Sequence, residues 1–118
     1  MIARIWMPWL MLACVPVVQA DVPPPTPGRV AIYKSVGSLQ CSGGGLSLAA
    51  MQRQLAAARV RVLATACGSD GQMRAQVCGS PDGAIRIFEI PADQLASASQ
   101  AGFRPLSELP DAVREPCR

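Results

Sequence analysis

Apolar and polar residues follow recognisable periods along most of the chain. A strand-like run of β-branched and apolar residues covers about residues 30–36. From Ser47 onward the apolar positions recur with a helical period, which predicts a helix over about residues 48–58 with Ser47 as its N-cap. The apolar stripe of this helix consists of Leu48, Met51, Leu55 and Ala58.

Residues 60–90 alternate with the period of β-structure. This alternation predicts three further strands, at about residues 60–66, 72–78 and 84–90, joined by the turn sequences "GSDG" and "GSPDG". A second helix over "PADQLASASQAGF" is predicted to end at Gly102, with Phe103 as the apolar residue after the C-cap.

The element order β-α-β-β-β-α predicts an α+β fold built on one small mixed sheet. Both helices are expected on one face of that sheet. The first strand and the strand after the first helix should be parallel, because a right-handed crossover joins them.

The N-terminal segment has the pattern of an export signal. Arg4 precedes an apolar run over residues 5–18, and Val18-Gln19-Ala20 forms a cleavage site. We therefore divide the chain into a signal peptide (residues 1–20), a proline-rich linker (21–29) and one small domain (30–118), which predicts a periplasmic or secreted protein. In the alternative interpretation, "MLAC" is a lipobox, and the protein is a lipoprotein anchored to a membrane through Cys14.

Charge and histidine content exclude several function classes. Without Arg4, ten basic residues face eight acidic ones, a net charge of +2, and no basic run indicates a nucleic-acid partner. Histidine is absent, which excludes histidine-based acid–base catalysis and imidazole-ligated zinc. We expect no cofactor and no metal.

Four cysteines remain if Cys14 is removed or lipidated, which indicates two disulfides in an oxidising compartment. If the first two predicted strands are parallel, Cys41 and Cys67 lie at one edge of the sheet and Cys78 at the other. The expected pairs are therefore Cys41–Cys67 and Cys78–Cys117. The spacing of these four cysteines along the chain does not resemble that of a zinc ribbon.

The glycine run in "CSGGGLS" does not match a nucleotide-binding loop. A phosphate-binding loop ends in Gly-Lys-Ser/Thr, whereas Gly45 is followed by Leu46 and Ser47. We interpret the run as a disulfide-linked loop that leads into the helix. Asp70 and Asp82 are interpreted as turn residues, and Met51 and Met73 as core residues.

The alternation also predicts a candidate partner surface. One face, directed towards the helices, would carry Val60, Val62, Ala64, Met73, Ala75, Val77, Ile85 and Ile87. The other would carry Arg61, Leu63, Thr65, Arg74, Gln76, Arg86 and Phe88. We favour an ordinary solvated face. The alternative is a docking surface for an acidic protein or an anionic ligand.

Several stretches together, namely "GSLQC", "LAAMQRQL", "VLATACGSDGQM", "VCG" and "GAIRIFEIP", resemble small exported proteins of Gram-negative bacteria without an assigned activity. The resemblance implies export and no particular activity. We expect a non-catalytic binding or inhibitor-like module of the cell envelope. The alternative class is an enzyme or metal-handling protein that uses Cys or Asp chemistry.

The cleavage pattern predicts that the exported protein begins at Asp21. The intact mass of the exported protein measures this directly. A diacylated or triacylated Cys14 at the N-terminus would contradict the prediction and place the protein on a membrane.

Overall fold

The computed structural model describes residues 28–117, so the predicted signal peptide, the lipobox and nearly all of the predicted linker lie outside the described residues. Arg29, which we assigned to the linker, already belongs to the first strand. Within the described part, the chain forms five strands, two α-helices and two short 3-10 turns. The strands are β1 (Arg29–Ser35), β2 (Ala64–Ser69), β3 (Ala84–Pro91), β4 (Arg104–Pro105) and β5 (Val113–Glu115); the helices are α1 (Leu48–Ala57) and α2 (Leu95–Gln100).

The strands form one open sheet in the order β4-β1-β3-β2-β5, in which all neighbours are antiparallel. The predicted class is confirmed: a small α+β fold with one sheet, two helices and two disulfides. The predicted mixed sheet is wrong in its pairing. β1 and β2 do run in the same direction, but β3 lies between them and pairs with both.

The predicted strand over residues 72–78 is not formed. Residues 70–77 have no regular structure, and the strand before them begins at Ala64 rather than at Val60. β2 already pairs with β3 on one side and β5 on the other, so neither of its edges can accept another strand. Gly68, which we placed in a turn, lies in β2, where the carbonyl oxygen of Val113 approaches closely enough to leave no room for a Cβ atom.

Both helices pack on one face of the sheet, as predicted, and their apolar stripes join one buried core. Ser47 caps α1 by accepting a hydrogen bond from the N–H of Ala50 at 3.0 Å. α2 ends before Gly102, and the N–H of Phe103 donates to the carbonyl of Ala98 at 3.0 Å. The buried members of this core are Ile32, Val36, Met51, Leu55, Val60, Phe88, Ile90, Ala98 and Phe103.

The other face of the sheet is covered by the chain between β4 and β5. These two strands lie at opposite edges of the sheet, so residues 106–112 must cross it, and Leu106 and Leu109 line a groove with Ala31. Ile85 and Ile87 are buried on this side. We had placed them towards the helices, and that assignment is wrong: Phe88 and Ile90 face the helices instead.

The two disulfides join Cys41 to Cys78, with 5.1 Å between their Cα atoms, and Cys67 to Cys117, with 5.0 Å. The predicted pairs Cys41–Cys67 and Cys78–Cys117 are therefore wrong, because they depended on a strand over residues 72–78 that is not formed. Two disulfides indicate an oxidising, non-cytoplasmic compartment. No helix within residues 28–117 is long and apolar enough to cross a membrane.

The central position of Phe88 predicts a large stability effect. Phe88 is completely buried and packs edge-to-face on Phe103, with 5.7 Å between the ring centroids. Phe88→Ala should lower the free energy of unfolding by about 3–5 kcal/mol, because it leaves a cavity in the core. Denaturant unfolding measures the change.

The matched control is Val113→Ala, at an apolar side chain that is 53% exposed. This substitution should change the free energy of unfolding by about 0.5 kcal/mol or less. Equal losses in the two variants would contradict the assignment of Phe88 to the core.

Candidate functional site

Two loops at one end of the sheet are joined by the Cys41–Cys78 disulfide. We call residues 37–46 and 70–83 together the stapled loop pair. The first loop reverses through Cys41 (φ 71°) and three glycines with positive φ. At Gly45 (φ 84°), the carbonyl oxygen of Val36 occupies the place that a Cβ atom would take, so only glycine fits there. The expected role of the glycine run as a disulfide-linked loop leading into α1 agrees with this geometry.

Gln40 connects the two loops through its backbone and its side chain. Its amide Nε2 donates to the carbonyls of Ala75 at 3.1 Å and Pro81 at 3.3 Å, and its Oε1 accepts from the N–H of Val77 at 2.8 Å. Its backbone bonds to Ser80 and Gly79. No sequence signal distinguished Gln40, because its partners lie more than thirty residues away.

Asp70 and Arg74 fix the start of the second loop. The carboxylate of Asp70 accepts two hydrogen bonds of 2.7 Å from the guanidinium of Arg74 and one of 3.0 Å from the N–H of Gln72. The Arg74 guanidinium, followed by the Gln72 N–H, holds the pKa of Asp70 below its usual value. The predicted tight turn at Asp70 is not formed, although Asp70 accepts a local hydrogen bond from the N–H of Gln72. The Arg74 side chain is directed towards Asp70 and Gly83.

Asp82 fixes the end of the second loop. It accepts a hydrogen bond of 2.6 Å from the hydroxyl of Ser38 and one of 2.9 Å from the N–H of Ala84. The Ser38 hydroxyl, and then the Ala84 N–H, lower the pKa of Asp82. The predicted strand-to-strand turn at Asp82 is not formed, but the Asp82 side chain connects the two loops through its hydrogen bond with Ser38.

The stapled loop pair exposes apolar side chains. Met73 is fully exposed, and Val77 and Leu39 are 52% and 39% exposed. We had assigned Met73 and Val77 to the core, and both assignments are wrong because the strand that would have carried them is not formed. Met51, the other methionine considered, is buried in the helix-side core as predicted.

The predicted partner surface is not assembled. Phe88 is buried, and Arg86 lies on the helix-side face with it. Arg74 and Gln76 belong to the stapled loop pair, whereas the segment 61–63 precedes β2 near α2, where the N–H of Arg61 donates to Gln94 at 2.6 Å. Leu63 lies in this segment, whereas Thr65 lies in β2 opposite Phe88. On the helix-side face of the sheet the helices pack over Phe88, so this face cannot join the arginines in one exposed surface.

Arg86 does line an open cleft where the helices leave the helix-side face uncovered. The cleft also includes Asp82 and Glu115. Arg86 stands opposite Lys34 in the strand register, and neither forms an ion pair within residues 28–117. Lys34 is held elsewhere, by Gln54 Oε1 at 2.7 Å and above the ring of Phe103. Because Asp82 and Glu115 also border it, the cleft does not present a purely cationic surface.

The structure defines a small, disulfide-linked α+β module. In the described part of the chain, no three His, Cys, Asp or Glu side chains are grouped as a metal site would require. The four paired cysteines offer no thiolate ligand while they remain oxidised. Comparison with protein-family models, curated proteins and solved structures finds no match to this chain.

The two lowered carboxyl pKa values predict a loss of stability in acid. A carboxylate whose pKa is lower in the folded than in the unfolded state contributes stability above its unfolded pKa, about 4, and that stability is lost as the pH falls through the folded value. The denaturant concentration at which half of the protein is unfolded should therefore be lower at pH 2 than at pH 7.

The double variant Asp70→Asn with Asp82→Asn provides the comparison. It should be less stable than the parent at pH 7, and it should lose less stability on acidification. An equal acid loss in parent and variant would show that these two carboxylates do not contribute to the pH dependence.

Proposed function

We propose that this protein is an exported, non-catalytic binding or inhibitor-like module of the cell envelope, periplasmic or secreted, whose binding surface is the stapled loop pair. One observation carries the proposal. Apolar side chains that globular proteins usually bury, those of Met73, Val77 and Leu39, are exposed on loops that are fixed by a disulfide and by Gln40.

Rigidity supports a role in recognition. A loop that is ordered before it meets its partner loses less conformational entropy on binding, so more of the contact energy appears as affinity. The Cys41–Cys78 disulfide, the Gln40 hydrogen bonds and the Ser38–Asp82 bond all restrict the loops without burying their apolar tips. Such an arrangement is typical of a binding surface.

Several features support a non-catalytic role. The four cysteines are held in disulfides, which removes them as nucleophiles. Asp70 and Asp82 are engaged in loop hydrogen bonds, and the lowered pKa of each disfavours proton transfer near neutral pH.

The exposed chemistry favours an apolar partner surface over an acidic one. The expected acidic partner depended on arginines grouped around Phe88, and Phe88 is buried. In the stapled loop pair, the charge of Arg74 is paired with Asp70 at 2.7 Å. In the alternative interpretation, Cys14 would anchor the same module to a membrane.

Site-specific photo-crosslinking in the producing cell tests the proposed surface. A photoreactive residue is placed at Leu39 or at Val77, two side chains that line one shallow groove. Both positions should give a crosslinked product of the same mass with one envelope protein. The matched controls are Arg53, an exposed residue of α1, and Val113 on β5, which should not give that product.

The proposal is tested by which of the four positions give the crosslinked product. Identical products from all four positions would indicate non-specific contact and contradict the proposal. Crosslinks only from Arg53 or Val113 would place the binding surface elsewhere on the module.

A further inference from the structure

Residues 72–77 form a segment whose ends are fixed by hydrogen bonds, while most backbone groups between them form none. The N–H of Gln72 donates to Asp70, and the N–H of Val77 donates to Gln40. The N–H groups of residues 73–76 and the carbonyls of residues 72–74 form no hydrogen bond within residues 28–117. The segment contains no turn or bend. A partner can therefore pair with this backbone as it would with an extended peptide.

Met73 is the most exposed large apolar side chain of this segment, ahead of Val77, which is 52% exposed. Met73 is fully exposed, whereas its neighbour Arg74 turns its guanidinium back to Asp70 and Gly83. Ala75 is fixed through its carbonyl by Gln40. A cleft that receives the segment therefore meets one long, flexible, apolar side chain and no free charge from Arg74.

Both disulfides span the peptide bond between Met73 and Arg74. Cys41 and Cys67 precede this bond, and their partners Cys78 and Cys117 follow it. Hydrolysis at this bond would add water to give a carboxylate on Met73 and an amine on Arg74. The two halves would still be joined by two covalent links and by the sheet, so the new ends could not diffuse apart.

We propose that residues 72–77 are a substrate-like inhibitory segment that occupies the cleft of a serine endopeptidase with an apolar S1 pocket, with Met73 in that pocket. This inference rests on the proposed function, because it names the partner of the stapled loop pair. An apolar S1 pocket fits Met73, whereas an acidic S1 pocket would require Arg74 to leave Asp70.

The tethered ends favour an enzyme that acts through an acyl intermediate, as a serine endopeptidase does. Attack of the serine oxygen on the Met73 carbonyl carbon forms an ester and breaks the bond to the Arg74 nitrogen. That nitrogen receives the serine proton through the catalytic histidine. Because both disulfides hold the Arg74 amine nearby, the amine can attack the ester, re-form the peptide bond and return the proton to the serine. The cleft thus remains occupied instead of releasing products.

Inhibition assays with the oxidised exported protein test the proposal. Initial rates of chromogenic peptide hydrolysis are measured for serine endopeptidases with apolar and with acidic S1 pockets. Competitive inhibition is expected only for the apolar class. Prolonged incubation should yield a product cut after Met73 that stays one species until its disulfides are reduced, and this cut protein should still inhibit.

Substitutions at Met73 test whether inhibition depends on this side chain entering the S1 pocket or on non-specific binding. Met73→Asp should weaken inhibition by about 100-fold, because the aspartate carboxylate would lose its hydration in an apolar pocket. Met73→Lys should transfer inhibition to the enzymes with an acidic S1 pocket. Val113→Asp, the matched control at another exposed apolar residue, should inhibit as the parent does. Met73 and Val113 are both exposed, so all three variants should retain the fold.

Three results would overturn the endopeptidase assignment. These are no inhibition of any enzyme with an apolar S1 pocket, rapid hydrolysis with loss of inhibition, and inhibition that is unchanged in Met73→Asp. If crosslinks from Leu39 and Val77 still identify one partner, the binding function stands and only the partner class is wrong. If those crosslinks are also absent, the proposed function fails as well.

Discussion

Strand β3 has to be buried on both of its faces, and the arrangement of the other elements follows from this constraint. Phe88 and Ile90 face the helices, while Ile85 and Ile87 face the other way. A sheet with apolar side chains on both faces needs a cover on both. Two helices cover the first face, and the second is covered by residues 106–112 on their way from one sheet edge to the other. The Cys67–Cys117 disulfide then links the chain that follows β5 to β2.

The sequence predicted the helices, their caps and the fold class, because these depend on neighbouring residues. Ser47 and Gly102 act at their own helix ends, and the stripe of α1 needs only a helical period. The burial of β3 on both faces could not be predicted in this way. Alternation assigns one face of a strand to the core and the other to water. With Ile85 and Ile87 assigned to the core, Phe88 was therefore predicted to be exposed. In the structure both faces are buried, because residues 106–112 cover the face that carries Ile85 and Ile87.

The stretch over residues 72–78 shows why apolar alternation alone does not define a strand. Met73, Ala75 and Val77 fit the period, yet a strand also needs a neighbour with free backbone groups. β2 is occupied on both sides, by β3 and by β5, which is only three residues long and lies more than forty residues further along the chain. The disulfide prediction failed for the same reason, since the position of Cys78 was derived from the missing strand. The candidate site thus arises where local preference and tertiary pairing disagree.

As a result, the residues that stabilise the protein are different from the residues that it exposes at the candidate site. The core residues lie between the helices, the sheet and the crossing segment, and none of them belongs to residues 72–77. The shape of that segment depends instead on polar contacts of Asp70 and Gln40 and on the Cys41–Cys78 bond. Because these contacts engage the backbone or the ends of the segment, the Met73 side chain contributes to none of them. Its identity can therefore change without cost to the fold, whereas the conformation in which it is presented cannot change without loss of the surrounding contacts.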